Sequence, residues 1–264
     1  MTNQQDKSGP AWSSDDLKGN PHQAEDKAGR VRSMFDSIAG RYDLNNRLHS
    51  FGRDQAWRRA AVAMADIGPT DRVLDVACGT GDLTLALARS EPESIRGVDF
   101  SGEMLAVARR KGESMPPAAG VPSPAFDQGD AMKLDIEDGA FTVVTIAFGI
   151  RNVSDPARAI GEFHRVLAPG GRLVILEFSQ PSNRLVRFGS DLYNKRIMPL
   201  TATLVSGDRS GAYRYLPRSM ETFVSPEQMG GMMTDTGFTD IAHRPLTFGV
   251  CTLTCGIRPT TGSA

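Results

Sequence analysis

Two glycines at alternate positions, with a carboxylate four residues ahead of the first, form the densest chemistry in this 264-residue sequence. They stand in Val73-Leu74-Asp75-Val76-Ala77-Cys78-Gly79-Thr80-Gly81-Asp82, where an apolar run ends, a turn follows and an amphipathic pattern begins. Glycines in such a turn let backbone approach a ligand and take conformations that a Cβ forbids. A second carboxylate, Asp99, closes the next apolar run eighteen residues after Gly81. At a strand end it can accept both hydroxyls of a ribose. A third, Asp130, follows the run after that, in Gln128-Gly129-Asp130-Ala131. An acid with the neighbouring N–H of Ala131 can read the edge of an adenine.

Nicotinamide enzymes use the same glycine device, so the pair alone does not select a ligand. Three details do. A helix N-terminus over a pyrophosphate needs no carboxylate beside it, whereas a cationic sulfonium is well served by Asp75. The third glycine of the dinucleotide fingerprint is missing, with Thr84 in its place. Asp99 completes the pattern at the second strand end. Together they favour S-adenosyl-L-methionine, bound through Asp75, Gly79, Gly81, Asp99, Asp130 and Ala131.

The elements that must position these residues alternate. Strands are expected at residues 72–77, 94–100, 125–128, 141–150 and 172–178, with helices at 82–89, 102–112 and 156–167 between them. Asp155-Pro156 gives the last of these an N-cap followed by proline at the first helical position. Strand–helix alternation predicts a parallel sheet covered on both faces. Ser225-Pro226-Glu227-Gln228 opens one more helix with a capping box. Two strands, 239–247 and 250–257, then turn at Phe248-Gly249. The fold class expected is α/β, a Rossmann-like seven-stranded methyltransferase sheet ending in an antiparallel hairpin. Ahead of it, residues 30–68 read as a helical cap and 1–29, polar and nearly without large apolar side chains, as a mobile tail. Residues 69–258 form the core domain, with an amphipathic lid insertion at 181–218, and 259–264 a short tail.

The bulk numbers are those of an ordinary globular chain: net charge −1 and 40% hydrophobic residues. No run reaches the ~18 apolar residues of a membrane span, and no secretory signal pattern opens the chain. Three cysteines without a CxxC pair suit a reducing compartment. Cys251 and Cys255 fall on one face of a strand and read as structural thiols, with no metal expected. The location expected is the cytoplasm.

Four segments carry a more particular pattern: Met34-Phe35-Asp36-Ser37-Ile38-Ala39 with Tyr42-Asp43 and Asn46; Ser50-Phe51-Gly52 with Trp57-Arg58; Phe148-Gly149-Ile150-Arg151-Asn152-Val153; and Tyr213-Arg214-Tyr215-Leu216. On these the chain resembles the ubiquinone/menaquinone-biosynthesis C-methyltransferase family, over roughly residues 31–258. The resemblance implies methylation of the ring carbon of a prenylated, demethylated quinol. It places Thr80, Asp99, Asp130 and Ala131 on the cofactor, and Tyr42, Arg151 and Asn152 near the reacting ring. Arg151 also follows the fourth strand directly, where open α/β sheets bind ligands, and a lasting cation there would favour a phenolate. Two departures stand out: Ala147 where a serine is frequent, and Thr142 where an acid is usual.

Charge is distributed unevenly. Residues 30–60 hold seven arginines against three aspartates, and 181–218 hold seven basic residues against two acids. With Leu185, Phe188, Leu192, Tyr193, Ile197, Met198, Leu200 and Leu204 at mostly helical spacings, the insertion suits an anionic membrane surface at the inner face of the cell membrane. The competing expectation is packing on the core or on a second copy in a homodimer. Nucleic acid is not expected as a substrate, because Phe148-Gly149-Ile150-Arg151 stands where an NPPY-type signature would. Three further readings stay open: the ubiquinone-pathway quinol, a small-molecule O-methyltransferase and a non-catalytic cofactor-binding subunit.

Overall fold

The computed structural model describes residues 10–115, 123–193, 196 and 210–260. Its centre is a seven-stranded sheet in the order β3-β2-β1-β4-β5-β7-β6. The strands are β1 (Arg72–Val76), β2 (Ser94–Asp99), β3 (Ala125–Gln128), β4 (Phe141–Ala147), β5 (Leu167–Phe178), β6 (Thr239–Leu246) and β7 (Cys251–Ile257). β1 to β5 run parallel, and β7 enters antiparallel between β5 and β6. Strand order reverses between β1 and β4, which opens a crevice at their carboxyl ends.

Alternation along the central strands sends successive side chains to opposite faces. Leu74, Val144 and Ile175 join Ile160 and Phe163 of α6 (Pro156–Val166) and Met233 of α9 (Pro226–Thr236). Val73, Val143 and Val174 join Trp57 of α3 (Arg53–Ala65) and Leu83 and Leu87 of α4 (Asp82–Ala88) on the other face. Each such fully buried side chain contributes about 1.5–3 kcal/mol. Cys251 and Cys255 belong to this second layer, as free thiols. The expected caps form: Asp155 accepts from the N–H of Arg158, and Ser225 and Gln228 close a capping box.

The two outer strands differ from the central five. β3 has only four residues, and β6 carries Pro245, an irregular register between Thr239 and Ala242, and mostly exposed side chains.

The cap consists of α1 (Lys27–Ile38), α2 (Tyr42–His49) and α3, and it leans on α5 (Gly102–Glu113) through Val31, Met34, Ile38 and Met104. From the insertion, α7 (Arg184–Leu192) and α8 (Ala212–Thr222) are described. The expected tail is corrected in residues 10–29. Trp12 is wholly buried and stacks on Tyr215, with ring centroids 4.5 Å apart. One tryptophan burying its full surface outweighs the polar composition around it. Residues 1–9 and 261–264, and Ile197, Met198, Leu200 and Leu204 of the predicted stripe, lie outside the described residues.

Candidate active site

A cavity of about 840 Å³, partly open to solvent, fills the crevice at the strand-order reversal. One side is polar: Gly79 after β1, Asp99 at the end of β2 with Ser101 beyond it, and Gly129 and Asp130 after β3. The other is apolar and aromatic: Val31, Phe35 and Tyr42 from the cap, Met104 from α5, and Phe148 after β4, with Asn152 among them.

Two strand ends here adopt backbone conformations that are uncommon outside glycine. Ala77 after β1 has φ +51° and Phe148 after β4 has φ +57°. Such residues cost on the order of 1–3 kcal/mol and persist where their surroundings over-determine them. Phe148 is held in that way. Its N–H donates to the carbonyl of Leu176 (2.8 Å), and its own carbonyl accepts from Arg151 Nη1 (2.7 Å) and Asn152 Nδ2 (3.2 Å). Gly149 follows because a Cβ there would lie 2.5 Å from that of Ala77.

Asp99 organises the polar side. Its Oδ2 accepts from the N–H of Gly79 (2.7 Å) and its Oδ1 from that of Ser101 (2.8 Å). Burial raises its pKa, and these N–H groups oppose the rise. The carboxylate faces the cavity with lone pairs remaining for ligand hydroxyls. Asp130 accepts from the N–H of Met132 (2.9 Å), and Ala131 lines the wall beside it. A glycine turn, an acid at each of two strand ends and an apolar continuation fit S-adenosylmethionine, which carries a nucleoside and a sulfonium but no phosphate.

Of the ten residues singled out from sequence, Gly79, Asp99, Asp130, Ala131, Tyr42 and Asn152 therefore meet at one cavity. Four sit elsewhere. Asp75 is buried behind the loop, with Oδ2 on the Thr84 hydroxyl (2.6 Å) and Oδ1 on that of Thr145 (2.7 Å). Desolvation pushes its pKa up to about 6. Thr80 is also buried, and its hydroxyl donates to Asp43 of α2 (2.6 Å). Gly81 packs against α5, where a Cβ would crowd Ala108 and Phe126. Arg151 departs furthest from expectation. It is 3% exposed, outside the cavity wall, and its Nη1 lies 2.6 Å from Glu177 Oε1 on β5. The left-handed turn at Phe148 carries the arginine back beneath the strand, so its charge is already matched.

Sequence reasoning missed three buried residues that hold this wall from behind. Glu177 neutralises Arg151, and an acid inside the apolar run Arg172–Phe178 was the signal that a buried partner was required. Lys27, 2% exposed, donates to the carbonyls of Arg151 (2.9 Å) and Val153 (2.6 Å). Its burial next to Arg151 brings its pKa down to about 8. Tyr215 donates to Asn152 Oδ1 (3.1 Å). Lys27 had no local signal, and Tyr215 stood in the family pattern without a role attached to it. His49 and His164 stay out of the cavity wall: His49 Nδ1 bonds the carbonyl of Asn45, and His164 packs edge-on against Phe238. Of the two departures from the family pattern, Ala147 lines the cavity, whereas Thr142 bonds Asp71 at the opposite end of β4.

The sequence profile of the ubiE/COQ5 methyltransferase family matches residues 23–258, which spans the cap, the sheet and every residue of the cavity. The chain belongs to the ubiE/COQ5 methyltransferase family. It is 48% identical over 227 residues to a Thermus thermophilus protein named demethylmenaquinone methyltransferase, covering 86% of this chain and 100% of that one. It is 44% identical to the ubiquinone/menaquinone biosynthesis C-methyltransferase UbiE of Geobacter sulfurreducens, covering 91% and 93%. The fold is shared with a Thermotoga maritima S-adenosylmethionine-dependent methyltransferase (TM-score 0.59, 18% identity, 86% and 99% coverage). As a member of the ubiE/COQ5 family the chain is an S-adenosylmethionine-dependent methyltransferase.

Proposed function

We propose that this methyltransferase converts a prenylated demethylmenaquinol to menaquinol by methylating a ring carbon. The observation that carries the reading is the junction, in one cavity, of the acid-lined strand ends with an aromatic and apolar wall. The names of the relatives support the choice of quinol. The cofactor supplies an electrophilic methyl group on its sulfonium. Asp99 would hold its ribose hydroxyls, and Asp130 with the backbone at Ala131 its adenine edge.

The remaining work falls to the cavity's own side chains. A quinol carbon becomes nucleophilic when the neighbouring hydroxyl gives up its proton, and the ring proton at that carbon leaves after the methyl has been accepted. Phe35, Phe148 and Met104 exclude water and hold the ring against the cofactor side, which converts two bound reactants into one oriented pair. Tyr42 and Asn152 provide hydrogen-bond donors for the quinol oxygens. Burial raises the pKa of Tyr42, so it stays a phenol and donates. Arg151 keeps a role through structure, by holding the Phe148 carbonyl and the turn that carries Asn152.

The quinol's tail would leave by the cap. α2, whose Tyr42 lines the cavity, exposes Leu44 and Leu48, and the neighbouring Phe51 is 78% exposed. Phe51 meets the ring of Tyr193 at 5.5 Å, and the Tyr193 hydroxyl donates to the His49 carbonyl, so the end of α7 adjoins this face. α7 buries none of its residues and exposes Leu185, Phe188 and Leu192. Arginines 41, 47, 53, 184 and 187 border the same region and are exposed. Among the described residues no helix is long and apolar enough to cross a membrane. The arrangement supports a cytoplasmic enzyme that docks peripherally on anionic lipid.

The test is a methyl-transfer assay with labelled S-adenosylmethionine and three acceptors: demethylmenaquinol, the ubiquinone-pathway quinol and a tail-free catechol. Label in the ring of demethylmenaquinol, at higher kcat/KM than for either alternative, is expected. Equal labelling of the catechol, or label on oxygen, would overturn the reading.

A further inference from the structure

Asn152 is fixed from two sides. Its Nδ2 donates to the Phe148 carbonyl, which can only accept, so the amide nitrogen must face that way. Its Oδ1 then meets the hydroxyl of Tyr215 at 3.1 Å, and burial keeps that phenol protonated and donating. An amide nitrogen carries two N–H groups. One is used on Phe148, and the second is left over at the cavity wall.

Tyr215 is itself held by the segment that precedes α1. It is fully buried and stacks on Trp12 with an interplanar angle of 23°. The Trp12 backbone N–H donates to the carbonyl of Ser210 (3.0 Å). Gly211, at φ +86°, is needed where the strap crosses, since a Cβ there would lie 2.1 Å from the Trp12 carbonyl oxygen. Further along, Arg214 donates to Ser14 (2.7 Å), Arg218 to the Gly19 carbonyl (3.1 Å), and His22 Nε2 lies 2.9 Å from the Ser219 carbonyl. Residues 12–22 are thus stitched along the length of α8. They lie ahead of the region matched by the family profile, which begins at residue 23.

We propose that Trp12 and Tyr215 are positioning residues for methyl transfer: the strap holds Tyr215, Tyr215 fixes the Asn152 amide, and the remaining Asn152 N–H donates to an oxygen of the substrate ring. This rests on the quinol reading above. Without the Tyr215 hydroxyl the amide loses one of its two restraints and can swing about the Phe148 contact, so its remaining N–H no longer holds a fixed direction toward the ring oxygen. The donor is then poorly placed at the moment negative charge forms on that oxygen.

The test compares the wild type with Tyr215→Phe, Trp12→Ala and Trp12→Phe on demethylmenaquinol. Tyr215→Phe keeps the buried ring, and Trp12→Phe keeps an aromatic partner. Tyr215→Phe and Trp12→Ala are expected to lower kcat about 10- to 100-fold and to move the acid limb of the kcat profile to higher pH. The cofactor Kd should stay within about twofold, as a folded cofactor side requires, and Trp12→Phe should recover most of the rate. The link to Asn152 is read without substrate, from its side-chain amide resonances in nitrogen-15-labelled protein. They should move toward the free-asparagine position in Tyr215→Phe and Trp12→Ala. Unmoved resonances overturn the proposal, and so do moved resonances with an unchanged kcat and pH profile. A wild type that transfers no methyl to the quinol defeats the proposed substrate and the donor role of Asn152 together, while the resonances still show whether the strap sets the amide.

Discussion

The hydroxyl of Thr80 donates to the carboxylate of Asp43 at 2.6 Å, which ties the cofactor loop to a helix of the cap. Asp43 also receives Lys111 of α5 at 3.0 Å, and Lys111 bridges on to Asp82 at the start of α4. A parallel tie runs from Ser101, at the N-cap of α5, to Asp36 of α1 at 2.5 Å. The loop that should grip the cofactor is therefore braced by the same helices that should cover the substrate.

If that brace sets the loop, Asp43→Asn and Thr80→Val each weaken cofactor binding by about 1 kcal/mol, the net worth of one hydrogen bond. The double variant should lose little more than either single one, because both remove the same contact. Titration calorimetry measures all three. Fully additive losses would mean that the two residues act separately.

Asp75 gives a pH prediction. Its folded pKa is raised from 3.8 to about 6, so the folded state holds its proton more tightly than the unfolded one. Its contribution to stability is present below about pH 4 and is lost as pH rises toward 6. The shift corresponds to about 3 kcal/mol at full development. Asp75→Asn has no such proton to lose. In thermal melts the variant should gain on the wild type between pH 4 and 6, with a constant difference above. A difference independent of pH would place the ionised carboxylate in a better-solvated setting than its two threonines provide.

The Arg151–Glu177 pair separates a structural from a chemical role. Removing the guanidinium alone, as in Arg151→Met, strands a carboxylate that is only 6% exposed. Such losses cost about 3–5 kcal/mol, on the order of 10 °C in Tm for a chain this long. Replacing both partners, Arg151→Met with Glu177→Leu, should restore most of the melting temperature. A stable double variant without activity would show that the turn needs the charge pair to hold Asn152, and an active one that packing suffices.

Docking on lipid should show in vesicle co-sedimentation with anionic phospholipid. Each arginine near such a surface contributes about 1 kcal/mol, so neutralising Arg184 and Arg187 should cut partitioning roughly thirtyfold. Leu185→Ser with Phe188→Ser should cut it further, and raised salt should weaken the wild type. Absence of vesicle binding, together with a concentration-dependent dimer that Phe188→Ser dissolves, would assign the same face to a second copy.

Sheet and loop could be read in the sequence because their signals are local. Short, mostly apolar runs bounded by turn residues define β1 and β4, and the Gly79–Gly81 spacing defines the turn between strand and helix. The resemblance brought in Tyr42 and Asn152, whose partners lie in other elements. What stayed hidden depends on distant pairs. Lys27 meets the Arg151 carbonyl across 124 residues, and Trp12 reaches Tyr215 from a segment whose composition is polar. Arg151 lies away from the cavity wall for a definite reason. A charged residue after a strand end faces the crevice when the chain continues outward, but the left-handed Phe148 bends it back to Glu177. No periodicity announces a positive φ at a phenylalanine.

The outer strands govern how copies of this protein can meet. An unpaired strand edge invites another chain to extend the sheet, and short or interrupted edges refuse it. At one margin β3 stops after four residues, and at the other β6 has a proline and an irregular register. Pro245 lacks the N–H that an added strand would need. A crowded solution of this enzyme should thus resist fibril-like stacking along the sheet, and any self-association is directed to its helical surfaces instead.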